Sequence, residues 1–187
     1  MHWRDESPSP ILPVWPGGPG TAETRALAGQ QAGAAQYPRI SVSRAALEAV
    51  LNHLGRARVE QGGLLLGTAH ATADAPGEQP GRIRLLAAVA AIDNDGDAVS
   101  LRMRSGVWTD ANALLLRLQD AEPASRIIGW YHSHPNLGAF FSATDRHTQR
   151  AFFSHPYSVG WVIDPIRGEH AAFLGTDCLH VSLCLDD

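Results

Sequence analysis

Between residues 44 and 54 apolar side chains recur at Ala46, Leu47, Val50, Leu51 and Leu54, the spacing of one helical face. Ser43 stands directly before that stripe, where its hydroxyl can accept from the first free N–H groups, so it is the expected N-cap. "GGLLLGTAH" and "RIRLLAAVAAI" have a different pattern: short continuous apolar runs bounded by glycine and polar residues, which predict buried strands. The connector "ATADAPGEQPG" between them is turn chemistry. "SGVWTDANALLLRLQDAEP" predicts a second helix closed by Pro123, and "RIIGWYHSHP" a strand that ends where a proline has no N–H for the ladder. "SATDRHTQRAFFSHP" predicts a third helix, and "YSVGWVIDP", "HAAFLG" and "LHVSLCL" the closing strands. The sum is an α/β chain, a mixed β-sheet packed with about three helices in a single domain over residues 37–187. No internal repeat is visible.

Residues 1–36 follow another rule. "SPSPILPVWPGGPGTAE" is dense in proline and glycine with no period of 2 or 3.6, and "ALAGQQAGAAQ" after it is of low complexity. Such a stretch cannot build a core of its own, so a flexible Pro/Gly/Ala-rich N-terminal arm is expected, with Trp15 and "ILPVW" as its one apolar patch.

Composition narrows the class. A length of 187 residues suits one domain, and 44% hydrophobic content suffices for a core. The net charge of -4 and the lack of any basic run argue against nucleic acid as a partner, because phosphate binding needs a clustered positive field. Cys178 and Cys184 lie in a stretch that reads as strand, too far apart at i, i+6 to bridge, and so are expected as free thiols in a reducing compartment. "MHWRDESPSP" has no apolar core of the signal-peptide kind, and the longest apolar run, "LLAAVAAI", is far short of the ~20 residues that span a bilayer. A soluble, cytoplasmic protein without a membrane partner is expected.

The chemistry concentrates in "GWYHSHPNLGAFFSATD", residues 129–145. His132 and His134 are two apart on the predicted strand, so both imidazoles point to one face. Ser142 and Asp145 begin the next helix, and "NLGAFF" is long enough to fold that helix start back over the strand end. Two histidines and an aspartate around a free fourth position make a catalytic zinc site that activates water. Each part also has a plain structural explanation. An H-x-H pair can hydrogen-bond at a sheet edge, and Ser-Ala-Thr-Asp is a capping box with Ser142 as N-cap and Asp145 at N3.

The order H-x-H-P-x6-S-x2-D, as His132, His134, Pro135, Ser142 and Asp145, resembles the JAMM (MPN+, JAB-domain) zinc metalloprotease family, bacterial branch, over most of residues 37–187. That family has a glutamate upstream of its first buried strand, and "VEQGGLLLG" supplies Glu60 there. The resemblance implies that His132, His134 and Asp145 bind one catalytic Zn²⁺. It implies that Glu60 is the general base and that Ser142 helps hold the oxyanion. It also implies an isopeptidase, deubiquitinase-like, that cuts after the Gly-Gly tail of a ubiquitin-like protein, with E1- and E2-like proteins as pathway partners. The other histidines, His2, His53, His70, His147, His155, His170 and His180, have no mutual ligand spacing, and no cysteine precedes Cys178 to build the second, structural zinc of some members.

Two alternatives stay open: a catalytically silent MPN-type scaffold, and a metallopeptidase for a peptide unrelated to ubiquitin. Residues 91–106, "AIDNDGDAVSLRMRSG", add an expectation about substrate. "DNDGD" is turn chemistry and "AVSLRMR" alternates, with Val99, Leu101 and Met103 on one face, like an ordinary edge hairpin. By the resemblance, this region folds over the substrate tail, which could add to it as a strand.

Overall fold

The computed structural model describes residues 38–55, 59–71, 80–92 and 105–186. The expected arm 1–36, the middle of the "ATADAPGEQPG" connector and most of the 91–106 segment lie outside the described residues. The chain runs β1 (Arg39–Val42), α1 (Arg44–Leu54), β2 (Gly62–Ala71), β3 (Pro80–Ala90), α2 (Ser105–Ala121), β4 (Arg126–Ser133), α3 (Ala143–Phe152), β5 (Val159–Asp164), β6 (Glu169–Leu174), β7 (Leu179–Val181) and β8 (Leu183–Leu185).

The expected α/β architecture is present: a mixed sheet of eight strands with three helices among the described residues. The strand order is β7-β6-β5-β4-β2-β3-β1-β8, with parallel pairs at β4–β5, β1–β3 and β1–β8. No helix of the described residues is long and apolar enough to cross a membrane.

Three expectations change in detail. "RISV" forms β1, which the helix stripe beginning just after it obscures. "LHVSLCL" is two strands, because β7 pairs with β6 at one edge of the sheet and β8 with β1 at the other. Ser182 alone separates them, and successive Cα atoms are about 3.8 Å apart, so the sheet curls until its two edges meet at that corner. Cys178 lies in the turn before β7, with φ 53, rather than in a strand; it and Cys184 are both free thiols.

Two apolar layers follow from the pleat. α1 caps one face, burying Ala46, Leu47, Val50 and Leu54 against Leu65, Ile83, Leu85 and Tyr131. Its start is set as expected: the Ser43 Oγ accepts from Ala46 N at 3.1 Å and donates to Leu86 O at 2.9 Å, tying helix to β3. α2 lies on the other layer, where Val107 and Ala111 join Leu64, Leu66, Trp130, Phe141, Val162 and Phe173. The site is built at one end of β4, on the Trp130 layer.

Candidate metal centre

β4 is a central strand, antiparallel to β2 with Gly62 opposite His132. Continuing that register places Gln61 opposite Ser133 and Glu60 opposite His134. The ladder does continue: Ser133 N donates to Gln61 O at 2.8 Å, and Gln61 N donates to Ser133 Oγ at 3.0 Å. The strand itself ends at Ser133, so His134 is the first residue beyond it rather than within it. Its backbone stays aligned because His134 N donates to Ile163 O at 3.0 Å, and Pro135 then stops the run.

The polypeptide turns back through Asn136 and Gly138, both with positive φ (64 and 91). Asp164, fully buried at the end of β5, holds this turn. Its carboxylate accepts from Asn136 N at 3.0 Å, Gly138 N at 2.8 Å, Ile166 N at 2.9 Å and Arg167 N at 3.1 Å. Burial pushes the Asp164 pKa up, but these backbone donors outweigh it and leave it below the ordinary value.

The returning chain starts α3 with the capping box that the sequence suggested. Asp145 N donates to Ser142 Oγ at 3.2 Å and Ser142 N donates to Asp145 Oδ2 at 2.7 Å. The cap and the cluster are thus one construction, since it presents the Asp145 carboxylate to the histidines. His132 Nε2 lies 3.1 Å from His134 Nε2 and 3.2 Å from Asp145 Oδ1, and His134 Nε2 is 3.6 Å from Asp145 Oδ2. All three residues are buried, and they form a group that could hold a metal ion. Donor atoms on a tetrahedron about 2.0–2.1 Å from Zn²⁺ stand roughly 3.3 Å from one another, so this donor set fits such an ion.

Electrostatics suit the same use. The His134 pKa is lowered by burial and by the neighbouring His132, against the pull of Asp145, Glu60 and Gly138, so the ring is neutral at pH 7 with a lone pair to give. Burial pushes Asp145 up, but the hydrogen bond and charge of His132 and the bonds to Ser142 bring it down to about 2. Glu60 Oε1 stands 3.9 Å from His134 Nε2, partly exposed. Its pKa is raised by burial, lowered in part by His134 and raised further by Asp145.

All five residues singled out in the sequence, Glu60, His132, His134, Ser142 and Asp145, therefore converge. The remaining described histidines lie elsewhere. His53 Nδ1 bonds the Tyr131 hydroxyl at 2.9 Å in the α1 layer, His155 stacks on Tyr157, and His170 and His180 pack on Trp161 and Phe173. Sequence reasoning passed over three supporting residues: Asp164, Trp130 and Gln149. The last two had a signal, since Trp130 is two before His132 on one strand face and Gln149 four after Asp145 on one helix face.

A family model described as prokaryotic homologues of the JAB domain matches residues 43–170. The 26S proteasome regulatory subunit rpn11 of Schizosaccharomyces pombe is 35% identical over 80 residues, which cover 42% of this chain and 25% of that protein. The ubiquitin carboxyl-terminal hydrolase RPN11 of Saccharomyces cerevisiae is 43% identical over 42 residues, 22% of this chain and 14% of that one. The matched region thus spans a quarter or less of these curated relatives. The solution structure of protein DSY2949 from Desulfitobacterium hafniense superposes with a TM-score of 0.54 at 20% identity, covering 79% of this chain and 93% of that one, a likeness of fold.

Proposed function

The chain belongs to the family of prokaryotic homologues of the JAB domain, and from that premise we propose that it is a zinc-dependent isopeptidase of the JAMM type. Its substrate is the C-terminal tail of a ubiquitin-like protein, cut free from an amine. The observation that carries the reading is the convergence of His132, His134 and Asp145 with Glu60 beside them. A structural H-x-H pair would need no carboxylate from a separate helix and no second carboxylate across the sheet.

His132, His134 and Asp145 would hold the ion, and a Zn²⁺ bound there would supply a Lewis acid that polarises a carbonyl and acidifies water. Glu60 takes the proton of the attacking water and passes it to the leaving amine. Its raised pKa suits a group that must both accept and return a proton. Ser142 offers a donor to the developing oxyanion while its Oγ still accepts from Asp145 N. A Gly-Gly tail fits the reaction, because glycine lets a backbone lie close to buried groups. The budding-yeast relative, named as a ubiquitin carboxyl-terminal hydrolase, supports the substrate class. The reaction belongs in the cytoplasm, where Cys178 and Cys184 stay reduced.

Metal analysis tests the premise. Freshly purified wild type should carry one zinc per chain, and His134→Ala or Asp145→Ala should lose it together with activity. Wild type purified without metal, and unable to take it up, would favour a scaffold role.

A further inference from the structure

The three donor residues come from two places in the chain, His132 and His134 from the end of β4 and the residue just past it, and Asp145 from the first turn of α3. Something must hold those elements in register to within a fraction of an ångström. The capping box fixes Asp145 within its own helix but does not reach β4. The link lies one layer deeper. Trp130 Nε1 donates to Gln149 Oε1 at 2.7 Å, joining β4 to α3, and Gln149 Nε2 donates to Ser158 O at 3.0 Å just before β5. Gln149 is fully buried on the same helix face as Asp145, four residues on.

Trp130 carries the constraint to the site. Its ring lies parallel to the His132 imidazole, centroids 4.5 Å apart at 7°, and parallel to Phe153 at 5.9 Å on its helix side. A metal-binding histidine ordinarily has its plane set by a hydrogen bond from its second nitrogen. Here the face-to-face packing of His132 on the indole restrains that plane directly. Gly160 on β5 makes the arrangement possible. A Cβ there would collide with Phe141 and stand 2.8 Å from Gln149 Oε1 and 3.1 Å from Trp130 Nε1.

We propose that Trp130 and Gln149 form a clasp of positioning residues that sets the affinity and geometry of the metal centre, by locking the His132 ring to the helix that carries Asp145. The inference rests on the metal-binding reading above and deepens it. Neither residue touches the ion or the substrate. Their action is through His132 and Asp145 alone.

The test uses the full chain and the metals alone. Zn²⁺ affinity is measured by competition with a chelator, and the visible spectrum of the Co²⁺ form reports coordination geometry. Gln149→Met and Trp130→Phe keep most of the buried volume while removing the bond, and each should weaken Zn²⁺ binding by ~10–100-fold. Each should also alter the Co²⁺ spectrum. Val50→Ala, in the opposite apolar layer, is the control: it should lower Tm while leaving affinity and spectrum as in wild type. Wild-type affinity and spectrum in both clasp variants would overturn the inference and leave the metal reading intact. So would a Val50→Ala protein that loses affinity as the clasp variants do, since general stability would then explain the effect. Wild type that binds neither ion would overturn both.

Discussion

At the scale of single residues, the site depends on carboxylates in three different settings. Asp145 faces imidazoles, Glu60 is half-withdrawn from water, and Asp164 is surrounded by backbone N–H groups. Asp164 offers the cleanest prediction because it touches no candidate ligand. Its folded pKa is depressed, so its stabilising effect is full above the unfolded value, about 3.9, and is lost as pH falls through the folded value. Asp164→Asn should therefore destabilise the protein at pH 7 by roughly 1.5–3 kcal/mol, the worth of hydrogen bonds to a charged group. In denaturant titrations the gap from wild type should narrow steadily below about pH 4. A gap constant from pH 7 to pH 3 would show that the charge of Asp164 does not matter. Residues of this kind leave little mark in the sequence. Asp164 in "VIDP" looks like any strand-ending aspartate, because its importance comes from a turn 26 residues earlier that folds over it. Glu60 stands out only through the family pattern, since nothing near it in sequence distinguishes it from a solvated charge.

At the scale of elements, the sequence was most legible where one periodicity ran uninterrupted. The α1 stripe and its Ser43 cap, the buried runs of β2 and β3, and the β4–α3 passage stand where the pattern put them, save that His134 falls one residue past the end of β4. It was least legible where pairing partners are distant. β1 is four residues long and is a strand because β3 and β8 flank it, and "LHVSLCL" divides because its halves pair with opposite edges. α3 invites a test that separates its two duties at Ser142. Glycine at an N-cap costs only a few tenths of a kcal/mol, whereas alanine costs about 0.5–2 kcal/mol. Ser142→Gly should thus keep nearly wild-type Tm and Ser142→Ala should lower it. If Ser142 supplies an oxyanion donor, both should lose activity alike, by ~10²–10³-fold. Retained turnover in the glycine variant would reduce Ser142 to a cap.

At the scale of the whole molecule, a curled eight-stranded sheet lets one end of β4 meet both β2 and α3. Glu60, the histidines and Asp145 lie up to 85 residues apart in sequence; the β2–β4 register brings Glu60 to the histidines, and the start of α3 brings Asp145. The site's construction uses residues from Glu60 onward, so protein lacking residues 1–36 should fold, with wild-type zinc content. An insoluble or metal-free product would mean that "ILPVW" belongs to the core. The most direct measurement is cleavage of a ubiquitin-like protein joined through its terminal Gly-Gly to a lysine-containing peptide, with zinc content determined on the same samples. Wild type should release the ubiquitin-like protein ending in Gly-Gly, and Glu60→Gln, holding as much zinc, should do so ~10²-fold or more slowly. A Glu60→Gln protein that cleaves at the wild-type rate, or a zinc-loaded wild type that leaves the Gly-Gly linkage intact, would contradict the proposed isopeptidase.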